Sequence, residues 1–255
     1  MNTPANTIKT IKEIPLFQAL DKKNIETAAI HCQKHGTLHV DYYSFLGKPL
    51  TCPLCKEEKE AEKKAAEAEN KRIEQLKQYG IRDRHFNASF ENYKPQNEKA
   101  REILETLQAI ARHPEQKLIL LYGNSGTGKS HLASAAVILN KGIYTTYECM
   151  SMKIRASYAY RAKNTEDELM EYYFTLPFLV IDEIEKGKNE DAKKTLISHI
   201  CRERYERSRP LWLCGNCNCE WIEQMFDSAV IDRMQHEGTS FCFDWESNRP
   251  KMRSV

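Results

Sequence analysis

No apolar run in this chain approaches the ~18–20 residues that a membrane-spanning helix needs. The N-terminus also lacks the apolar core of a secretion signal. No membrane partner is expected. An excess of one charge is missing too: 38 Lys and Arg face 36 Asp and Glu, a net +2. Nothing attracts the whole chain to a polyanion, so any nucleic-acid contact must be local. The 255 residues suffice for one substantial core and one small extra unit.

What is present is most concentrated at residues 118–130, an apolar run followed by Gly-x-x-x-x-Gly-Lys-Ser. A strand-like run before the glycines and a helix-like one after them separate a phosphate-binding loop from a chance match. Gly123, Gly126 and Gly128 let main-chain N–H groups curl around phosphate oxygens with no Cβ in the way. The following helix points its positive end at the same anion. Lys129 suits the β- and γ-phosphates, and Ser130 offers a hydroxyl to Mg²⁺. The expected binding set is Gly123, Asn124, Ser125, Gly126, Thr127, Gly128, Lys129, Ser130 and His131. The competing reading is an ordinary glycine turn.

A second segment, Pro177-Phe178-Leu179-Val180-Ile181-Asp182-Glu183, is a short apolar run that ends in two acids. It suits a strand buried on both faces of a parallel sheet, with its acids at the edge where α/β sheets bind ligands. Asp182 is expected in the Mg²⁺ shell and Glu183 beside an attacking water. The adjacent Glu favours hydrolysis over phosphoryl transfer to a metabolite.

In a chain with these motifs, nine cysteines point to reduced thiols and metal rather than disulfides, and to the cytoplasm. Cys32-x-x-His35 and Cys52-x-x-Cys55 are two close pairs separated by a sixteen-residue loop. Each pair can grip a metal from a tight turn, and together they close a tetrahedron suited to structural Zn²⁺. His31 or His39 could replace His35. A reduced thiol cluster without metal is the alternative. Cys214, Cys217 and Cys219 have no fourth ligand and are read as packing residues at a strand end.

Along the chain, Ile8, Ile11, Ile14, Phe17 and Leu20 form a weak amphipathic pattern, interrupted by Pro15. From Lys56 to about Gln78 the chain is mostly Lys, Glu, Ala, Arg and Gln, a solvated helix that Gly80 ends. Residues 81–98 form an irregular lead-in anchored by Phe86, Phe90 and Tyr93, and 99–112 are helical. Strands are expected at 118–122, 143–147, 178–181, 211–214 and 239–243, and helices at 129–140, 151–173, 190–208 and 218–226. That alternation predicts an α/β fold with a parallel sheet flanked by helices. The domains are 1–55 (zinc module), 56–80 (charged helical linker) and 81–255.

Gly123-to-Leu132 and Leu179-to-Ile184 resemble the AAA+ P-loop NTPases of bacterial and phage helicase loaders, the DnaC/DnaI type. Leu213-to-Asn218, Val230-Ile231-Asp232-Arg233-Met234 and Phe243-to-Arg249 resemble the later signatures of that family, and Tyr79-to-Phe86 its lead-in. The match covers about residues 75–250. The N-terminal cysteine module resembles the zinc-bearing partner-binding domains of some loaders.

The resemblance implies ATP as ligand and hydrolysis as activity. Catalytic roles fall to Lys129, Asp182 and Glu183, with Asn216 as first sensor ahead of Asn218. Arg233 would be an arginine finger for the neighbouring subunit, and Arg249 a second sensor in its own. It further implies a DnaB-type replicative helicase and single-stranded DNA as partners, and a homo-oligomer. The charged stretch Glu185-to-Glu190 departs from the family pattern and bears on how subunits or DNA approach that edge.

Lys153, Arg155, Tyr158, Tyr160 and Arg161 interleave cations with rings, which suits stacking and phosphate pairing with single-stranded DNA. The alternative is a charged helix face whose tyrosines pack on the sheet. Two other functions remain open: an ATPase helper of a transposase (the IstB type), and a zinc-bearing DNA-binding adaptor without hydrolysis.

Overall fold

The computed structural model describes residues 25–47, 51–114 and 118–248. The amphipathic pattern at Ile8 to Leu20 and the second-sensor candidate Arg249 lie outside them. The chain divides into two compact units, Met1–Lys71 and Arg72–Val255.

In the first unit, β1 (Ile25–Cys32) and β2 (Gly36–Tyr43) pair antiparallel, with Cys32 opposite Gly36. Gly36 takes φ +74°, the left-handed conformation that lets a three-residue turn close a hairpin. Ala28 and Ile30, two apart and so on one face, are buried, and Tyr43, opposite Ile25, is buried on the other face. Half of the sixteen-residue loop expected between the ligand pairs, Gly36–Tyr43, is therefore the second strand of a hairpin. Helix α1 (Pro53–Gln78) starts with proline in its first turn, where a missing N–H costs nothing. Its charged run is almost wholly exposed, carries i,i+4 pairs Lys56–Glu60 and Lys63–Glu67, and buries only Leu76. Its last turns belong to the second unit.

The helix stops at Gly80 (φ +77°), where Ile81 N–H bonds back to the Leu76 carbonyl. A Cβ there would lie 2.0 Å from the Tyr144 carbonyl oxygen, so the turn requires glycine.

The second unit is a five-stranded parallel sheet. Its strands are β3 (Leu118–Gly123), β4 (Ile143–Thr146), β5 (Leu179–Asp182), β6 (Leu211–Gly215) and β7 (Gly238–Phe243), in spatial order β4-β5-β6-β3-β7. Successive residues of β3 feed two cores. Ile119 and Leu121 join Val180 and Trp212 on one face, while Leu118 and Leu120 join Ile181 and Leu213 on the other. Helix α2 (Glu98–Arg112), capped by Asn97, and α3 (Lys129–Asn140) cover the first face. Helices α4 (Tyr147–Ala156), α5 (Glu166–Thr175), α6 (Glu190–Glu206), α7 (Cys219–Met225) and α8 (Ser228–Glu237) supply the second core.

Two expectations need correction. The helix expected at 151–173 is two helices, α4 and α5. Arg161 sits at φ +66° in the break, and Thr165 with Glu168 forms a capping box that starts α5 anew. The strand expected through Tyr147 ends at Thr146, whose hydroxyl accepts from Cys149 N–H and caps α4.

Candidate functional site

The loop between β3 and α3 sits at the carboxyl ends of the strands, where β3 lies between β6 and β7. Gly123, Gly126 and Gly128 all have positive φ. A Cβ on Gly128 would come within 2.3 Å of the Tyr93 ring, so this glycine also makes room for the lead-in. Tyr93 in turn donates its hydroxyl to the Thr127 carbonyl at 2.8 Å. The C-terminal signature closes the loop from the other side. Asn124 N–H bonds to the Phe243 carbonyl, its side chain to that of Asp244, and Asn248 N–H to the Gly126 carbonyl. Trp245 Nε1 reaches Thr127 as well. Residues far apart in sequence thus fix the loop's main chain with its N–H groups arrayed at the start of α3.

A cleft of about 210 Å³ opens there, lined by Ser125, Gly126, Gly128, Lys129, Ser130, His131, Asp182, Glu183 and Asn216, with Arg84 and His85. Lys129 is buried, and its Nζ donates to the Gly123 and Asn124 carbonyls at 2.9 and 2.5 Å. Burial draws this ammonium below the usual lysine range. Ser130 Oγ donates to Asp182 Oδ2 at 2.6 Å. A hydroxyl and a carboxylate in contact beside the phosphate loop are the hard oxygen donors that Mg²⁺ takes, so the residues present fit that ion.

Asp182 has two more donors: Tyr144 hydroxyl and the Glu183 N–H, the latter at 2.7 Å. Burial first, and then the Asp182 charge, push the Tyr144 phenol well above its ordinary pKa, so it remains a donor. Glu183 sits at φ +56° and pairs with Arg82 (3.3 Å) and Lys186 (3.0 Å). Burial pushes its carboxyl up, but the bonds from Lys186 and Arg82 outweigh that and leave it below the usual range. His85 lies half-buried at the same cleft, and burial, helped by the Arg84 charge, lowers it to about 4. Its ring is neutral at physiological pH.

Asn216, just past β6, lines the cleft and donates Nδ2 to Glu185 Oε1 at 3.1 Å. Asn218 instead caps α7 by accepting from Trp221 N–H, which removes it from the sensor contest. Arg233 is not at this cleft. It lies on α8, paired with Glu206 at 3.1 Å and stacked 5.3 Å from the Tyr205 ring. Tyr205 and Glu206 end α6, which leaves the acid-tipped end of β5 and returns to the start of β6. Arg233 therefore stands toward the opposite edge of the sheet from the phosphate loop. Of the later cysteines, Cys214 is buried as expected, whereas Cys219 is exposed and bonds Tyr122.

Cys32, His35, Cys52 and Cys55 come together in the first unit, with ligand atoms all within 4.8 Å of one another. His35 Nδ1 lies 3.7, 3.6 and 3.4 Å from the sulfurs of Cys32, Cys52 and Cys55. Those are about the edge lengths of a tetrahedron with metal–ligand bonds near 2.0–2.3 Å. Cys32 and His35 sit on the hairpin turn; Cys52 and Cys55 sit at the start of α1. Main-chain N–H groups of His35 and Lys34 pull the Cys32 thiol down to about 6, while Cys32 pushes Cys55 up to about 11. Three thiols cannot all ionise side by side without a cation, so the donor set fits Zn²⁺. His31 bonds Thr37 and His39 lies on β2, so neither displaces His35. Glu58 completes the set by holding His35 Nε2 at 3.1 Å, and Lys34 holds Glu58 at 2.6 Å.

The interleaved cations and rings fall at the end of α4 and in the break before α5. Tyr160 is 90% and Tyr158 63% exposed, so the tyrosines do not pack on the sheet. Arg161 stacks on Tyr160 at 5.4 Å.

Sequence reading missed Tyr144 and Glu58, and gave no side-chain role to Arg82 in the lead-in or to Glu185 in the charged stretch. Glu58 left a signal, three residues past Cys55 and so about one helical turn on.

A phosphate loop on β3 with an acid-tipped β5, in a parallel sheet of this strand order, gives the chain a P-loop NTPase fold of the AAA+ type. Residues 44–255 match the model of the IstB-like ATP binding proteins, and the chain belongs to that family. The replicative helicase loader DnaC of Escherichia coli strain K12 is 29% identical over 244 residues, covering 90% of this chain and 98% of its own length. A putative ATP-binding protein of insertion sequence IS21 from Pseudomonas aeruginosa is 22% identical over 157 residues, 59% of each chain. Among solved structures, the DnaC helicase loader superposes with a TM-score of 0.53 at 19% identity, covering 63% of this chain and 99% of that one. No helix among the described residues is long and apolar enough to cross a membrane.

Proposed function

We propose that this chain is a cytoplasmic ATPase that loads a DnaB-type replicative helicase onto single-stranded DNA. The observation that carries the reading is the alignment with the E. coli loader along 98% of that protein, joined to a cleft that holds Lys129, Ser130–Asp182, Glu183 and Asn216 together. The transposase-helper reading has less support, since the IS21 relative aligns over 59% of this chain. A binding adaptor without hydrolysis is disfavoured by the intact cleft chemistry.

In this reading the loop amides of 123–130 and Lys129 bind the triphosphate. Ser130 and Asp182 would hold Mg²⁺, which when bound neutralises phosphate charge. Tyr144 keeps Asp182 aimed at that position. Glu183 accepts the proton of the attacking water, and Asn216 orients that water. Arg233, remote from its own cleft, reaches the ATP of a neighbouring subunit, and Arg249 serves as second sensor. Cys32, His35, Cys52 and Cys55 would hold a structural Zn²⁺, which when bound would cross-link the N-terminal module that grips the helicase. Lys153, Arg155, Tyr158, Tyr160 and Arg161 contact DNA, supported by their exposure.

The test is ATP turnover by the purified chain with and without single-stranded DNA, paired with binding to replicative helicase and to transposase from the same cell. Helicase binding with DNA-dependent turnover is expected. Transposase binding alone, or no turnover under any condition, would overturn the reading.

A further inference from the structure

Lys193, on α6, is a buried cation that the mechanism above leaves unused, as is Arg204 on the same helix. Its side chain is fully buried. Nζ donates to the Glu185 carbonyl at 3.0 Å and to Glu190 Oε1 at 2.9 Å, and it stands 5.6 and 5.7 Å from the Tyr147 and Trp221 rings. An ammonium taken out of water needs such partners, and it holds them rigidly in return. What it holds is the main chain at Glu185, just beyond the acid-tipped end of β5.

Glu185 then turns its carboxylate toward β6. Oε1 accepts from Asn216 Nδ2 at 3.1 Å. Oε2 is buried and has no hydrogen-bond partner among the described residues. Buried oxygens in that condition are rare, and an orphan beside a reaction cleft asks for a reason. Gly215 makes the approach possible, since a Cβ there would sit 3.2 Å from Oε2.

We propose that Glu185 is a positioning residue for Asn216, fixing which end of its carboxamide faces the cleft. The two ends of an amide have nearly the same size and opposite hydrogen-bonding roles. A carboxylate only accepts, so it can take Nδ2–H and repels Oδ1. Chemistry, not shape, thus sets the rotamer. The second Nδ2 hydrogen and Oδ1 remain for the cleft, where Asn216 stands with Lys129, Asp182 and Glu183. One can then donate to phosphate oxygen while the other accepts from water. Lys193 fixes the carboxylate's origin, and Glu185 fixes the amide.

This inference rests on Asn216 being the sensor, and the experiment separates the two claims. The 255-residue chain carries Asn216→Ala, Glu185→Ala, Glu185→Gln, or the Asn216→Ala/Glu185→Ala pair, and kcat is measured beside the Kd for ATP. We expect Asn216→Ala and Glu185→Ala each to lower kcat roughly 10-fold or more with Kd little changed. The pair should be no worse than Asn216→Ala alone, because the two residues act as one unit. Glu185→Gln can donate as well as accept, so it no longer selects Nδ2 over Oδ1 and should lower kcat as well, with Kd little changed. Unchanged Kd reports that each variant is folded at the cleft. A wild-type kcat in Glu185→Ala or in Glu185→Gln, or additive losses in the pair, would overturn the proposal while leaving Asn216 in place. A wild-type kcat in Asn216→Ala would remove the sensor reading itself.

Discussion

Arg82 grips Glu183 from 101 residues upstream, Nη1 on Oε1 at 3.5 Å and Nη2 on Oε2 at 3.3 Å. Lys186 holds the same carboxylate at 3.0 Å. A base engaged by two cations is ionised at lower pH but is a weaker proton acceptor.

Two outcomes follow for Glu183. Glu183→Gln should bind ATP normally and lose turnover, since an amide takes no proton. Arg82→Ala should move the acid limb of the kcat profile to higher pH. The sign follows from the shift. The carboxyl is held below its ordinary value, so these pairs contribute fully above the unfolded glutamate pKa and are lost as pH falls through the folded one. An unmoved acid limb in Arg82→Ala would show that another group sets it.

Lys129→Ala should abolish ATP binding and leave the zinc module folded. The buried ammonium is held by the loop carbonyls of Gly123 and Asn124, in place to neutralise phosphate charge. Equilibrium binding of labelled ATP decides this, and unchanged affinity would remove the central claim.

One zinc per chain is expected by metal analysis, lost in Cys52→Ser or Cys55→Ser. Glu58→Gln should keep the metal but weaken its affinity about 10–100-fold, because Glu58 fixes the His35 ring so that Nδ1 faces the sulfurs. Competition with a chelator reads the change. Chelation should unfold the hairpin and spare the nucleotide domain, since so small a unit depends on its metal.

Gly80→Ala should destabilise the chain by about 3 kcal/mol, lowering Tm by roughly 6–12 °C. The new Cβ would meet the Tyr144 carbonyl at 2.0 Å in a left-handed backbone at φ +77°. Thermal melting measures it, and a Tm within 2 °C of wild type would show that the turn can shift.

Arg233→Ala should bind ATP and hydrolyse it poorly, by powers of ten if the arginine acts in trans. Mixing it with Lys129→Ala subunits should restore part of the activity under assembling conditions. One subunit supplies the site and the other the cation. A dead mixture would make Arg233 structural, held by Glu206 and Tyr205 as its own chain already holds it.

The sequence alone determined the parts whose chemistry is local. The glycine spacing of 123–128, the run Leu179-to-Asp182 and the Lys/Glu-rich linker each follow from neighbours in the chain, and the observed elements match them within a few residues. The cluster of Cys32, His35, Cys52 and Cys55 was legible because its two Cys-centred pairs carry their spacing in sequence. The break between α4 and α5 was also local, written in Thr165-x-x-Glu168, and was overlooked. Tertiary structure alone decided which side chains act on these parts. Arg82 on Glu183, Tyr144 on Asp182, Glu185 on Asn216 and Tyr93 on Thr127 join segments 31 to 101 residues apart. No periodicity encodes such pairs, because they form where strands β4, β5, β6 and β3 end side by side. Sheet order brings those ends together, and only then do charge and hydrogen bonding choose the partners.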